Sequence, residues 1–311
     1  MTPGKCYIAL TMRTKTRLIL AIGVLSLSAC THRESDRLTP LMSAARNGDA
    51  ASVRGLIAAG ADVHEVRGTH RVPGMRIEGD NPQHGETALL FAVESGNLDS
   101  VRALLDAGAK MDVRANWGDD VWSVMTRTIG APDSAAMLRL LLSRGLALLP
   151  GRAKLMLGAA VAAANREAAL VLLDRVGDPM GAYCAAAGPL RDEEFPAMVA
   201  LLEQRIGPPG GEALECGAHA DTPRKLAYFL DHHANPDHLG STFRPLTGLA
   251  FEITKGGGMS EERRAMITLL LRHGADPALS DKTENGSAIE VARRSGNTEL
   301  LALLTQAVPR R

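Results

Sequence analysis

The chain has 311 residues, with 35 basic and 35 acidic side chains, 45% hydrophobic residues and only 3% aromatics. Residues 1–29 hold four basic and no acidic side chains, so the remainder carries 31 basic against 35 acidic groups and lacks the basic excess that nucleic-acid binding requires. Past residue 29 no apolar run approaches the ~20 residues of a membrane-spanning helix, and a chain this long would strain the limit of one hydrophobic core unless it were built from repeats.

The N-terminus comes first. Lys5, Arg13, Lys15 and Arg17 surround or precede an apolar run over 18–29, and the first acid is Glu34. That pattern predicts a secretory signal peptide over residues 1–29. Its end, Leu27-Ser28-Ala29-Cys30, resembles the lipobox of bacterial lipoproteins. The resemblance implies cleavage before Cys30 and acylation of that cysteine. With Thr31 following, and not Asp, it also implies sorting to the outer membrane, facing the periplasm. Two or three acyl chains anchor stably where a single one is marginal. Residues 30–37 are then the lipidated cysteine and a tether, and seven extended residues reach ~25 Å at most.

Residues 38–63 read as one helix-turn-helix unit. Thr39 and Pro40 open a helix, the hydroxyl placed to cap the first turn and the proline where a missing N–H costs nothing. Ala44 and Ala45 allow close helix approach, and Gly48 ends the helix. Val53, Leu56 and Ile57 then place an i, i+3, i+4 stripe on a second helix. The same offsets return at Thr87, Ala92, Gly96, Val101, Leu104, Leu105 and Gly108, and again at Pro245, Leu246, Ala250, Ile267, Leu270, Leu271 and Gly274. Between them the beat persists with weaker signals over 122–145, 155–176, 182–207 and 214–235. A last, more charged unit over 287–304 has the character of a cap.

These units resemble the ankyrin repeat, whose signature contains T-P-L-H-x-A. Met42 stands where that family prefers His, a departure that puts one turn-bracing hydrogen bond in question. The resemblance covers nearly all of the chain after residue 38 and implies an all-α ankyrin-repeat solenoid of about eight helix-turn-helix units over 38–311, the central repeats degenerate.

It also implies a non-enzymatic protein that binds another protein along its concave face and inter-repeat turns, with no cofactor and no small-molecule substrate. Two roles follow by analogy with exported bacterial ankyrin proteins: masking a secreted toxin, or accompanying an envelope or oxidative-stress enzyme. Candidate contacts are the basic insertion over 67–84, with Arg67, His70, Arg71 and Arg76, and Trp117 in the next turn. On the inner helices Phe91, Tyr183 and Glu215 are expected to face the partner, although a slip of one residue would bury them.

Cys184 and Cys216 lie 32 residues apart, about one repeat, at equivalent positions of successive inner helices. An oxidising periplasm permits a bridge, but equivalent Cα atoms of stacked repeats are expected near ~10 Å, beyond the ~7 Å reach of a disulfide. Two readings stay open, a bridge or two small buried thiols. The run Asp231, His232, His233, Asp237 and His238 is the densest set of metal-ligating types. Adjacent histidines on a helix point ~100° apart, so helix-end placement is the better expectation. Gly256 to Gly258 lack the spacing of a phosphate loop and read as a flexible insertion. No G-x-S-x-G or CxxC occurs, so no catalytic site is expected.

Overall fold

The computed structural model describes residues 38–67, 86–112, 120–131, 133–281 and 286–306, with the backbone alone at 67, 122, 123 and 127. Chain contacts divide between Arg37 and Leu38.

The described residues between 38 and 306 build eight successive helix pairs. They are α1 (Pro40–Arg46) with α2 (Ala50–Ala58), α3 (Ala88–Glu94) with α4 (Leu98–Asp106), α5 (Val121–Thr128) with α6 (Ser134–Ser143), and α7 (Pro150–Ala162) with α8 (Arg166–Leu173). There follow α9 (Gly181–Ala187) with α10 (Phe195–Ile206), α11 (Glu212–Gly217) with α12 (Pro223–Asp231), α13 (Pro245–Glu252) with α14 (Glu261–Arg272), and α15 (Ala288–Arg294) with α16 (Thr298–Gln306). The fourth unit starts earlier than the apolar pattern indicates, because Pro150 opens α7 five residues ahead of Leu155.

Local chemistry sets the helix lengths. The Thr39 hydroxyl accepts from the Met42 amide at 3.2 Å, and Thr87 does the same for Leu90 at 3.3 Å. Ser287 and Glu290 close a reciprocal capping box on α15. Gly48, with φ +68°, ends α1 in the left-handed region that a Cβ disfavours. Ala164 (φ 57°) and His233 (φ 69°) take the corresponding places after α7 and α12 without being glycine.

Inner helices stack on one another, α1 on α3 on α5 on α7 on α9 on α11, with the second helix of each pair packed behind. Fully buried Ala45, Ala92, Ala250 and Ala292 lie in the inner helices, and Val53, Leu104, Leu141, Leu172 and Leu202 fill the layer between inner and outer helices. Each such leucine contributes ~1.5–3 kcal/mol by leaving water. β1 (Val66–Arg67) pairs antiparallel with β2 (Glu86–Thr87), so the insertion over 67–84 leaves and rejoins the stack through a two-residue ladder. Among the described residues no helix is long and apolar enough to cross a membrane.

Candidate protein-binding face

The open side of the inner helices follows from helical periodicity. In α7 the buried positions are 153, 156, 157, 160 and 161, which leaves Lys154 and Leu155 outward, and Leu155 is 71% exposed. In α9 the buried set is Ala182, Tyr183, Ala186 and Ala187, and the open set is Gly181, Cys184 and Ala185. On α11 Glu212 and Glu215 are exposed and Leu214 is half-buried, and on α13 Leu249 is half-buried and Glu252 exposed. The result is a strip of small and aliphatic side chains bordered by acids.

Cys184 and Cys216 form a disulfide, with Cα atoms 5.1 Å apart. The spacing of ~10 Å expected between equivalent repeat positions does not hold here. α9, GAYCAAA, is made largely of small residues, and it lies against α11 at bridging distance. Gly217 of α11 in turn lies so close to the Phe229 ring of α12 that a Cβ would come within 2.1 Å of it. Both cysteines are half-buried and sit on the open side, so the bridge crosses the inner face.

Two expected contact residues are corrected. Tyr183 is fully buried, its hydroxyl donates to the Gly207 carbonyl at 2.7 Å, and its ring meets Phe229 edge-on with centroids 6.3 Å apart. One residue along a helix turns the side chain ~100°, which takes position 183 from the open face into the core. Burial, followed by the negative charge of Glu203, pushes its phenol up to about 12. Phe91 is also buried, since every residue of α3 from Ala88 to Val93 is enclosed in a helix packed between α1 and α5. Glu215 is exposed and has no ion-pair partner among the described residues. Cys30, His70, Arg71, Arg76 and Trp117 lie outside the described residues, and of Arg67 only the backbone is described.

The histidine run is dispersed by its local geometry. His232 caps α12, its Nδ1 2.7 Å from the Tyr228 carbonyl and its Nε2 3.5 Å from Glu203. Tyr228 donates to that same carboxylate at 2.7 Å, and burial followed by this hydrogen bond pushes its phenol upward. Asp237 instead accepts from the Asp276 amide at 3.0 Å. No group of three or more metal-ligating side chains converges among the described residues.

The glycine-rich insertion is likewise better anchored than its composition suggests. After α13 the chain kinks at Gly256, which takes φ +119°, and the Arg263 guanidinium donates to the carbonyls of Gly257 (2.6 Å) and Gly258 (3.2 Å).

Lys225 escaped the sequence reading because a lysine on a surface helix is ordinarily solvated. Here it is 1% exposed, and its ammonium donates to the carbonyls of Gly188 (2.7 Å) and Leu190 (2.5 Å) and to Asp221 (2.7 Å). All three N–H bonds are satisfied, which is what makes the burial tolerable.

A family model described as ankyrin repeats, in three copies, matches residues 17–115. The fold is an all-α ankyrin solenoid. Among solved structures the chain is similar to the human ASB11 ankyrin repeat domain, at 19% identity over 88% of this chain and 100% of that one, TM-score 0.43. It is also similar to an ankyrin repeat domain from Acinetobacter baumannii AYE, at 20% identity over 86% and 97%, TM-score 0.27. A third is the ankyrin repeat domain of Bcl-3, of the IkappaB protein family, at 19% identity over 87% and 99%, TM-score 0.43. No curated protein matches significantly. Ankyrin repeats are in general protein–protein interaction modules and typically non-enzymatic scaffolds.

Proposed function

We propose that this protein is a lipid-anchored, non-enzymatic binder of another protein, held at Cys30 to the outer membrane and facing the periplasm. The observation that carries the binding role is the open strip across three stacked inner helices, from Leu155 on α7 past Ala185 on α9 to Leu214 on α11, above the buried residues of those helices. A face fixed before the encounter lowers the ordering cost of association. The anchor rests on the charged leader, its short apolar run and Leu27-Ser28-Ala29-Cys30.

Within that reading, the role is immunity, in which the face masks a toxic enzyme delivered into the periplasm. A tether of seven residues, reaching ~25 Å at most, would keep the binder where such an enzyme attacks the membrane.

Crosslinked capture of the acylated protein from envelopes tests the binding role, run beside Trp117→Ala and a deletion of residues 67–84. One dominant stoichiometric partner supports it, and no partner above background overturns it. Cys30→Ser should release the chain from the membrane fraction, and retention there would overturn the anchor. Deletion strains no more sensitive to sibling attack would leave the companion role and remove immunity.

A further inference from the structure

The inner stack is continuous from α1 to α11 and again from α13 to α15, but α11 and α13 scarcely touch, although the outer helices α12 and α14 remain packed. Beside this break the α11–α12 turn, α12, α13 and α14 line a cavity of about 490 Å3. Leu226, Leu249, Met266 and Leu270 give it an apolar lining, Ala218 and Ala220 a smooth wall, and Asp221, Glu252 and Glu262 stand among its lining residues with His219 and Arg263.

The segment leading into α13 is held from both sides. The segment between α12 and α13 is pinned where the Asp237 carboxylate accepts from the Asp276 amide, and Asp281 accepts from the Arg244 amide at 3.0 Å. The Arg244 guanidinium also donates to the Asp237 carbonyl. His219 Nε2 lies 3.2 Å from the His238 carbonyl, and Gly240 sits so near the His219 ring that a Cβ would approach it to 3.0 Å. These contacts fix the segment leading into α13 against the turn after α14 and against His219.

The charges choose the occupant. Arg263 is committed to the Gly257 and Gly258 carbonyls and lies 3.8 Å from Glu252, and the Lys225 ammonium is buried beside Asp221. Glu262, the third lining acid, has no ion-pair partner among the described residues, so one negative charge is left over. An apolar slot with surplus negative charge complements an apolar side chain flanked by cations. We infer that the cleft between the α11–α12 turn and α13 seats a segment of a protein partner that presents an aliphatic or aromatic side chain flanked by Lys or Arg. This deepens the reading of the chain as a protein-binding solenoid and rests on it.

The test uses the full chain and labelled short peptides of alternating Leu and Lys, of Leu and Glu, and of Ser and Lys, followed by fluorescence anisotropy. The Leu–Lys peptide should bind and the other two should bind at least about tenfold more weakly. Leu249→Arg should weaken the Leu–Lys complex by about tenfold or more, and Glu262→Lys by about threefold. Gly248→Leu fills the slot from a helix where a Cβ meets only Phe243 Cβ at 3.7 Å, so it should fold and still weaken binding. Glu94→Lys, in the second unit, should change nothing. Absence of Leu–Lys binding, equal binding of the Leu–Glu or Ser–Lys peptide, indifference to Gly248→Leu and Glu262→Lys, or an equal loss in Glu94→Lys would each overturn the assignment. A captured partner that none of the cleft variants releases would sink the cleft and leave the binding role standing. Absence of any captured partner would sink the binding role whatever the peptides do.

Discussion

The first two units and the fifth and sixth reach the same helix-pair geometry by different means. Units one and two use a kit that recurs at fixed offsets: a Thr cap, a buried alanine, a left-handed glycine and a Val/Leu stripe. Units five and six lack much of that kit. Met180 and Gly211 stand at the caps of α9 and α11 with no side-chain hydrogen bond, and His233 ends α12 where glycine would be expected. They are held instead by contacts that occur once each: the Cys184–Cys216 bridge, the buried Lys225, Tyr183 on the Gly207 carbonyl, and Tyr228 and His232 gathered at Glu203. Degeneracy of the repeat is therefore replacement of many small local terms by a few large specific ones.

That comparison is most exposed to the disulfide. Closing a loop of this length removes denatured-state entropy worth ~3–5 kcal/mol in the chain-entropy model. Reduction, or Cys184→Ser with Cys216→Ser, should shift urea unfolding by about that amount. Because each repeat contacts only its neighbours, the central units should unfold first and split one transition into two. A uniform shift, or none, would show that the middle does not depend on the bridge.

Lys225→Met is the next largest. It keeps the aliphatic stem but leaves the carbonyls of Gly188 and Leu190 unpaired in a buried site, an expected loss of ~2–4 kcal/mol. Thr39→Ala, which removes a repeated cap in the first unit, should cost only ~1 kcal/mol. Equal losses in the two variants would erase the distinction between the regions.

The same contrast explains what the sequence made legible. Fold class and the eight pairs followed from spacing, because Thr39, Ala45, Gly48 and Val53 each have a local reason to be where they are. Glu215 is exposed on α11, whereas Tyr183 lies in the core, one step of the register from the open side. An average repeat spacing argues against the disulfide, and that average fails at α9, whose alanines accompany a Cα separation of 5.1 Å between Cys184 and Cys216. Lys225 and the gap between α11 and α13 depend on carbonyls and loops more than ten residues distant, which no window on the chain displays.

Tyr183 gives a smaller effect with a defined sign. Its phenol ionises at about 12 in the fold, against ~10 in the unfolded chain. The unfolded state therefore loses its proton first as pH rises, and the stabilisation, complete below pH ~10, falls away up to pH ~12 by as much as ~2–3 kcal/mol. Spectrophotometric titration should show a phenol ionising late, and Tyr183→Phe should remove it while costing ~1 kcal/mol at neutral pH through the lost hydrogen bond to Gly207. Loss of an ordinary phenol near ~10 in Tyr183→Phe, in place of a late one, would put the group in water and return it to the open face.

The smallest prediction exchanges one part between regions. Ala164 holds, after α7, the left-handed conformation that Gly48 holds after α1. An L-residue there carries a steric penalty of ~1–2 kcal/mol, while glycine gives back ~0.5–1 kcal/mol through its larger freedom in the unfolded chain. Ala164→Gly should thus raise stability by about 0.5 kcal/mol, and Gly48→Ala should lower it by a similar or larger amount. A Cβ on Gly48 would meet only ordinary contacts, the nearest being Asn97 Cβ at 3.5 Å, so crowding does not confuse that measurement. Opposite signs in paired urea midpoints would mean that the central units retain the same backbone turn and have lost only the residue suited to it. Destabilisation by Ala164→Gly would mean instead that the methyl group, half-buried against the core, outweighs the backbone strain, and that even this turn is held by packing specific to its place in the stack.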